Sequence, residues 1–414
     1  MKKLIAMVLC LLISLSAVGC STQSNETSKT EVVIWHRWNV GEGEGEHELK
    51  VAVDKFNESQ DEIIVKLEAQ PSSGFNDKVY NSVVNGVGPD IVFDFASAVC
   101  DYQGDGLLAN MENYIDVDKL KGRISDELWN EAWSSEDNHL HLIPIQVTAP
   151  VLFYNKTLYD KHNLTAPKTW QELEKNCKVI YEKEKIAGFA TDSYVDLAQA
   201  MFMQNGSGYI DDEALAIKFN TESSRNNVKW FADGVKKGYF TTSYSSGSID
   251  TEFNSGLVAS FLGTCSYEPY ILPNGFKAAV APVPFTQENG WIPLFNRGAI
   301  VFASDEKNEK AACDFIEFFT NEENSMRWCT TIGALSPYGD TCKRKDYLEY
   351  IQSSSILQVA SQSLVNAGTT PAVKGAVAVR SEITQLYLQA VGEIDTVENL
   401  FKIAETNCNK ALKK

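Results

Sequence analysis

Short β-branched runs alternate with helix-spaced apolar residues along most of the chain, and this order restricts the folds open to it. Val32-Val33-Ile34-Trp35 is strand-like, Leu49, Val53 and Phe56 then recur at helical spacing, and Ile63 to Leu67 (IIVKL) returns to strand chemistry. Asp90 to Phe93 (DIVF) is a third strand, set off by the helix-breaking Gly86-Val87-Gly88-Pro89. A β-α-β order with short linkers predicts a mostly parallel sheet covered by helices. The pattern resumes at Pro150 to Tyr154 (PVLFY), after which Thr169 and Glu172 are spaced as a capping box for a helix carrying Leu173, Cys177 and Ile180. Strand-like segments at 256–263, 276–283 and 298–303 follow. Helices are marked by Val228, Phe231, Ala232 and Val235, and by Ala312, Phe315, Ile316 and Phe319. The C-terminal segment reads as two helices, one with Ile383, Leu386 and Ala390, the other with Leu400, Ala404 and Leu412. At 414 residues there is too much chain for one ordinary core, so an α/β protein of two lobes is expected.

The N-terminus has a different character. Met1-Lys2-Lys3, an apolar run from Leu4 to Leu15 and the small residues Ala17-Val18-Gly19 before Cys20 describe a secretory signal peptide over residues 1–19. Its end resembles the bacterial lipobox, which implies that Cys20 becomes an acylated N-terminus. Ser21 to Thr30 (STQSNETSKT) has almost no apolar surface to bury, so 20–30 reads as a tether that lifts a folded body off the membrane. The expected location is the extracellular face of the cell membrane, with the membrane touched through the anchor alone, because no later segment approaches the roughly 20 apolar residues of a spanning helix. A formal charge of −18 disfavours nucleic acid and anionic surfaces as partners. Besides Cys10 and Cys20 there are seven cysteines, Cys100, Cys177, Cys265, Cys313, Cys329, Cys342 and Cys408, an odd set without framework spacing. Buried free thiols are expected, the one candidate bridge being Cys329 to Cys342 across the 333–338 loop.

Catalytic and metal signatures are sparse. Glu42, Glu44, Glu46 and Glu48 lie in one turn-rich stretch entering a helix, where acids favour the N-terminus, rather than as the separated carboxylate pair of a glycosidase. No nucleophile elbow, HExxH or phosphate-cradling loop occurs. His139 and His141 could face one way on a strand, but two ligands without a third make a weak metal site. A surface carbohydrate-active enzyme and a surface adhesin are the rival classes, and an adhesin would bind a macromolecule without closing two lobes.

Several segments, in order, resemble the extracellular solute-binding proteins of bacterial ABC importers, in the group related to maltose- and glycerol-phosphate-binding proteins. They are Val32 to Trp38 (VVIWHRW), Phe56-Asn57 before Ile63 to Leu67, and Gly88-Pro89-Asp90-Ile91 with Gly106-Leu107-Leu108. Val151 to Lys156 (VLFYNK) with Pro167 to Leu173 (PKTWQEL), Asn254-Ser255-Gly256, Ala281 to Pro284 (APVP) and Gly333 to Pro337 (GALSP) continue the series. The resemblance implies a periplasmic-binding-protein-like fold, with hinge-linked lobes and an interlobe ligand cleft. One lobe would take 31–147 and 297–334, the other 148–296 and 335–414. It also implies a monomer that captures a small-molecule solute by lobe closure and passes it to membrane permease subunits, with no cofactor of its own.

Ligand contacts are then expected just past the strand ends, where open α/β sheets bind ligands. Aromatic faces and planar hydrogen-bonding groups suit a saccharide. His36, Arg37 and Trp38 follow the first strand, with Trp35 expected in the core and Trp38 in the cleft by strand alternation. Asp94 and Ser97 follow the third strand, although Asp94 could equally cap a helix. Thr148, Tyr194, Cys265, Ser266, Tyr267, Asn296, Arg297 and Tyr338 complete the strand-end and loop candidates. Arg380 resembles the arginine that glycerol-phosphate-binding relatives place near the start of a late helix, its alternative being a solvated helix cation. Gly263-Thr264 stands where those relatives have a serine pair and Ala334 where they have a tyrosine, so a neutral mono- or oligosaccharide is expected ahead of glycerol 3-phosphate or another phosphorylated solute.

Overall fold

The computed structural model describes residues 29–38, 45–134, 137–191, 193–242, 249–285 and 290–413. The signal peptide, Cys20 and most of the tether lie outside these residues, as do Glu42 and Glu44; Glu46 and Glu48 fall in the first turn of the helix Gly45–Ser59.

Two five-stranded sheets organise the chain. The first takes β1 (Thr30–His36), β2 (Ile63–Ala69), β3 (Ile91–Phe95) and β4 (Ile143–Thr148). The second takes β5 (Pro150–Asn155), β6 (Phe189–Thr191), β7 (Phe240–Thr242), β8 (Ser260–Thr264) and β9 (Ala278–Ala281), after which β10 (Phe295–Val301) returns to the first. The orders are β2-β1-β3-β10-β4 and β9-β5-β8-β6-β7. β1 pairs in parallel with β2 and β3, as the β-α-β order predicts, but β10 runs antiparallel to both β3 and β4. In the second sheet β5 runs antiparallel to β8 and β9, while β6 is parallel to β8 and β7. Both sheets are therefore mixed rather than mostly parallel. The strands that reverse the direction are those beside a crossing, where the chain enters a sheet from the other lobe instead of returning over its own helix.

The crossings are short. Only Ala149, fully buried, separates β4 from β5, and Val147 exchanges two 2.9 Å backbone bonds with Leu335 as the chain passes the boundary again. Gly333, just before that exchange, closes the helix Glu322–Ile332 with φ +66°, and a Cβ there would stand 2.9 Å from Pro269 Cδ, so glycine meets both a left-handed turn and a close approach between segments.

Each lobe buries its own core. In the first, Val32, Ile34, Leu49, Val53 and Phe56 meet Phe93, Phe315, Phe319 and Trp328, and the cluster also takes in Tyr338 and Tyr347. In the second, Leu173, Cys177, Phe189, Phe202, Phe231 and Phe401 pack together with Ile383 and Tyr387. The capping box forms in part: Thr169 Oγ1 accepts from Glu172 N at 3.1 Å, while the Glu172 carboxylate accepts from Lys168 N at 2.7 Å, one residue beyond the N-cap N–H of the usual reciprocal bond. The seven described cysteines are free thiols, Cys329 and Cys342 included, and Cys342 Sγ contacts Ser336 O instead. Among the described residues no helix is long and apolar enough to cross a membrane.

Candidate ligand cleft

Strand ends from both sheets and two helix starts converge on one cleft. Phe95 ends β3, Thr148 ends β4 and Phe295 opens β10 on the first side; Thr264 ends β8 on the other, followed by Ser266. Ser193 caps the helix Tyr194–Gln204, accepting from Asp196 N at 3.3 Å, and that short turn sets Ser193 and Asp196 at the wall. With Gln146, Arg297 and Arg380 these residues line an open cavity of about 250 Å³. An adjoining recess shares Phe95, Phe295 and Arg380 and adds Ser97, Glu131, Gln199, Tyr209, Asn296 and Thr370. The lobes already touch at the rim, where Cys100 Sγ donates to Ala372 O at 3.1 Å.

The electrostatics are uneven. Burial pushes the Glu131 carboxyl up to about 8, with the Asn296 amide opposing, so it is largely protonated at neutral pH and can donate a hydrogen bond. Burial, and then the neighbouring Arg37 charge, press Arg297 down to about 10, with Asp94 opposing, which leaves it a cation. The Arg297 guanidinium lies 4.5 Å over the Phe95 ring and 5.5 Å over Trp38, and Arg380 lies 6.0 Å over Phe295. A bulge in the β10–β4 register between Arg297 and Gly298 sits beneath this arrangement, and Gly298 has no room for a Cβ, which would come within 2.5 Å of Leu142 Cγ.

Of the residues expected at the ligand, Ser97, Thr148, Ser266, Asn296, Arg297 and Arg380 line this space. The others stand behind it or in the cores. Asp94 caps nothing; its Oδ1 accepts from Arg37 Nη2 at 2.5 Å and from Phe95 N at 2.8 Å, and Arg37 also donates to Asn76 Oδ1 at 3.1 Å. His36 is buried under the same layer, its pKa lowered by desolvation against an opposing Glu46. Trp38 is half-buried: it packs edge-on to Trp328 at 4.7 Å and against Phe93 at 5.4 Å at the border of the first core, beneath Arg297, and does not itself line the space. Strand alternation does not carry to it because β1 ends at His36; Trp35 is buried as expected, its indole donating to Glu68 at 2.8 Å.

Tyr194 is stacked on Tyr387 at 5.4 Å within the second core, because the first turn of its helix faces inward. Cys265 is fully buried, burial raising its thiol to about 11, and Tyr267 packs edge-on against Phe153 and Phe261. Tyr338 is fully buried with its hydroxyl donating to Pro144 O and Arg123 4.1 Å over its ring, so it braces β4 from below. His139 and His141 are held by Glu112 and Asp137, and no group of three metal-ligating side chains occurs among the described residues.

Sequence reasoning missed Glu131, Gln146, Ser193, Asp196 and Gln199 among the lining residues. A Ser-x-x-Asp helix start directly after the strand-like Phe189-Ala190-Thr191 was the available signal for two of them. Glu131 and Gln199 lie inside helices and carry no such mark.

Comparisons with known proteins agree on the frame. Residues 51–343 match the family model described as bacterial extracellular solute-binding protein. The chain is 24% identical over 346 residues to a galactooligosaccharide-binding protein of Bacillus subtilis (strain 168), covering 78% of each. It is 21% identical over 392 residues to the sn-glycerol-3-phosphate-binding periplasmic protein UgpB of Yersinia enterocolitica, covering 87% of this chain and 86% of that one. Among solved structures, a cyclic alpha-maltosyl-1,6-maltose binding protein from Arthrobacter globiformis superposes with a TM-score of 0.77 at 22% identity, over 93% of this chain and 99% of that chain. An ABC substrate-binding protein of Listeria monocytogenes in complex with cycloalternan gives 0.81 at 19% identity over the same shares. The two-lobed architecture, the cleft between the sheets and the family match together make this chain a member of the bacterial extracellular solute-binding proteins.

Proposed function

We propose that the chain captures an extracellular carbohydrate, a mono- or oligosaccharide, in the interlobe cleft and delivers it to the permease of an ABC importer. The observation that carries this reading is the lining itself. Hydroxyls and amides at strand ends (Thr148, Ser266, Asn296, Gln146) stand beside the aromatic rings of Phe95 and Phe295, the combination a sugar's hydroxyl rim and apolar faces require. The saccharide names of several relatives support the same class. Ligand held by both walls would favour lobe closure, since a ligand shifts the lobes by its greater affinity for the closed state. The boundaries expected between the lobes, at 147/148, 296/297 and 334/335, fit this motion, Ala149 between β4 and β5 and the Val147–Leu335 exchange being the crossings beside two of them. The protein acts as a monomeric carrier with no reaction of its own, lipid-anchored at Cys20 after loss of residues 1–19.

Thermal denaturation of the purified protein against a panel of neutral and acidic sugars tests the reading, because a ligand that binds only the folded state raises the Tm. A saturable rise with a saccharide is expected. A folded protein whose Tm responds to amino acids or peptides and to no sugar would overturn it.

A further inference from the structure

At the rim of the cleft each lobe sets a helix end against the other. On the first side the helix Ala96–Gln103 follows β3 directly and closes at Gly104. On the opposite side residues 370–375 lead into the helix Ala376–Val391, whose apolar face packs in the second core. The N-cap of that second helix is Gly375, which has no side chain to give, so its first N–H groups need an acceptor from elsewhere.

The first lobe supplies one. The Asp101 carboxylate accepts a hydrogen bond from Gly375 N, which places an anion at the positive end of the second lobe's helix. Burial pushes the Asp101 carboxyl up, the Gly375 N–H and then the Lys374 charge pull it back, and Asp94 adds to the rise. The second lobe answers in kind. Lys374 Nζ lies 3.0 Å from the point where a Cβ on Gly104 would stand, so an ammonium covers the end of the first lobe's helix, where the last carbonyls leave negative charge. Between these two contacts Cys100 Sγ donates to Ala372 O at 3.1 Å. Residues 100–104 and 372–375 are thus joined three times across the rim, and none of them lines the ligand space.

We propose that Asp101 and Lys374 form a latch that holds the lobes closed, each charge seated on the end of a helix belonging to the other lobe. They are positioning residues, which touch no ligand and lengthen its stay by favouring the closed state. The inference rests on the lobe closure of the solute-binding reading and holds whichever solute the cleft takes.

Alkylation of Cys100 by N-ethylmaleimide, followed by mass spectrometry of its peptide, tests the latch in the purified protein, because this nearly buried thiol is bonded to the opposite lobe. With opening fast relative to alkylation, the rate follows the open fraction. Cys177 and Cys408, inside the second core, are the references. Asp101→Ala and Lys374→Met should each raise the Cys100 rate about threefold to tenfold, the scale of one charge at a helix end, with the reference rates unchanged. Asp101→Asn, which keeps an acceptor and loses the charge, should fall between parent and alanine variant. The exchanged pair, Asp101→Lys with Lys374→Asp, keeps its mutual attraction but sets each charge at the wrong helix end, so it should label at least as fast as the single variants. Parent-like rates in both single variants, a rise shared equally by Cys177 and Cys408, or return of the parent rate in the exchanged pair overturns the inference. All of these rates are measured without ligand, so the carbohydrate reading stands or falls separately, by the Tm panel.

Discussion

Glu131 offers a test of whether the cleft's electrostatics are as the geometry implies. Its carboxyl lies at the recess with Oε2 sealed from solvent and unbonded, and burial raises its pKa from 4.5 to about 8. The folded state therefore keeps a proton that the unfolded chain gives up, so this residue makes stability fall as pH climbs through the unfolded pKa near 4.5 and level off only above about 8. At pH 7 the gap between pH and the unfolded pKa, at about 1.4 kcal/mol per unit, amounts to a cost of about 3 kcal/mol; the group's contribution changes by about 2 to 3 kcal/mol between pH 5 and pH 7. Glu131→Gln has nearly the same shape as the protonated acid and cannot ionise. Urea denaturation of both proteins at pH 5, 6, 7 and 8 isolates the effect, because other titrating groups cancel in the difference. The variant should be the more stable at pH 7, by an amount that grows from pH 5 to pH 8. Parallel stability curves across that range would refute the reasoning and mean that water reaches the carboxylate.

Other expectations follow from the same structure. Gly333→Ala puts a side chain on a left-handed residue and against Pro269, so it should cost about 1 to 2 kcal/mol and lower the Tm; Gly86→Ala, at an exposed position with φ +70° and open space at its Cβ, serves as the control and should lose less. Trp328→Phe removes the indole N–H that donates to Gln146 Oε1 at 3.0 Å, freeing a cleft residue, and should weaken saccharide affinity measured by calorimetry as well as stability, by about 1 to 3 kcal/mol for the buried acceptor. Cys20→Ser should shift the protein from the membrane fraction to the medium or leave an uncleaved precursor on immunoblots; unchanged membrane retention of a processed chain would rule the anchor out.

How much of this was legible in the sequence depended on the range of the interactions involved. The strands and helices were, because Val32 to Trp35, Leu49/Val53/Phe56 and Thr169/Glu172 carry local periodicity and local capping chemistry. Strand direction was not, since whether β10 runs with or against β3 depends on which lobe the chain comes from, a fact no window of residues contains. In the cleft, Thr148, Ser266, Asn296 and Arg297 could be named because polar residues at strand ends stand out against apolar neighbours. Trp38 could not be placed, because its partner Trp328 lies most of the chain away, and Glu131 reads as an ordinary helix acid until Asn296 and the opposite wall close over it.

The insertion of β10 between β3 and β4 also bears on how such a chain reaches its final form. Phe95 and Arg297 are neighbours in the sheet although the whole of the second sheet is strung between them. The first sheet is incomplete when β1 to β4 have been made; the place between β3 and β4 stays vacant until the far strand arrives, and loop-closure entropy must be met before that pairing gives anything back. The second core in turn takes Ile383, Tyr387 and Phe401 from helices that follow β10, so each lobe is completed only by chain that lies beyond the other, and the two halves of the receptor are interdependent in their assembly.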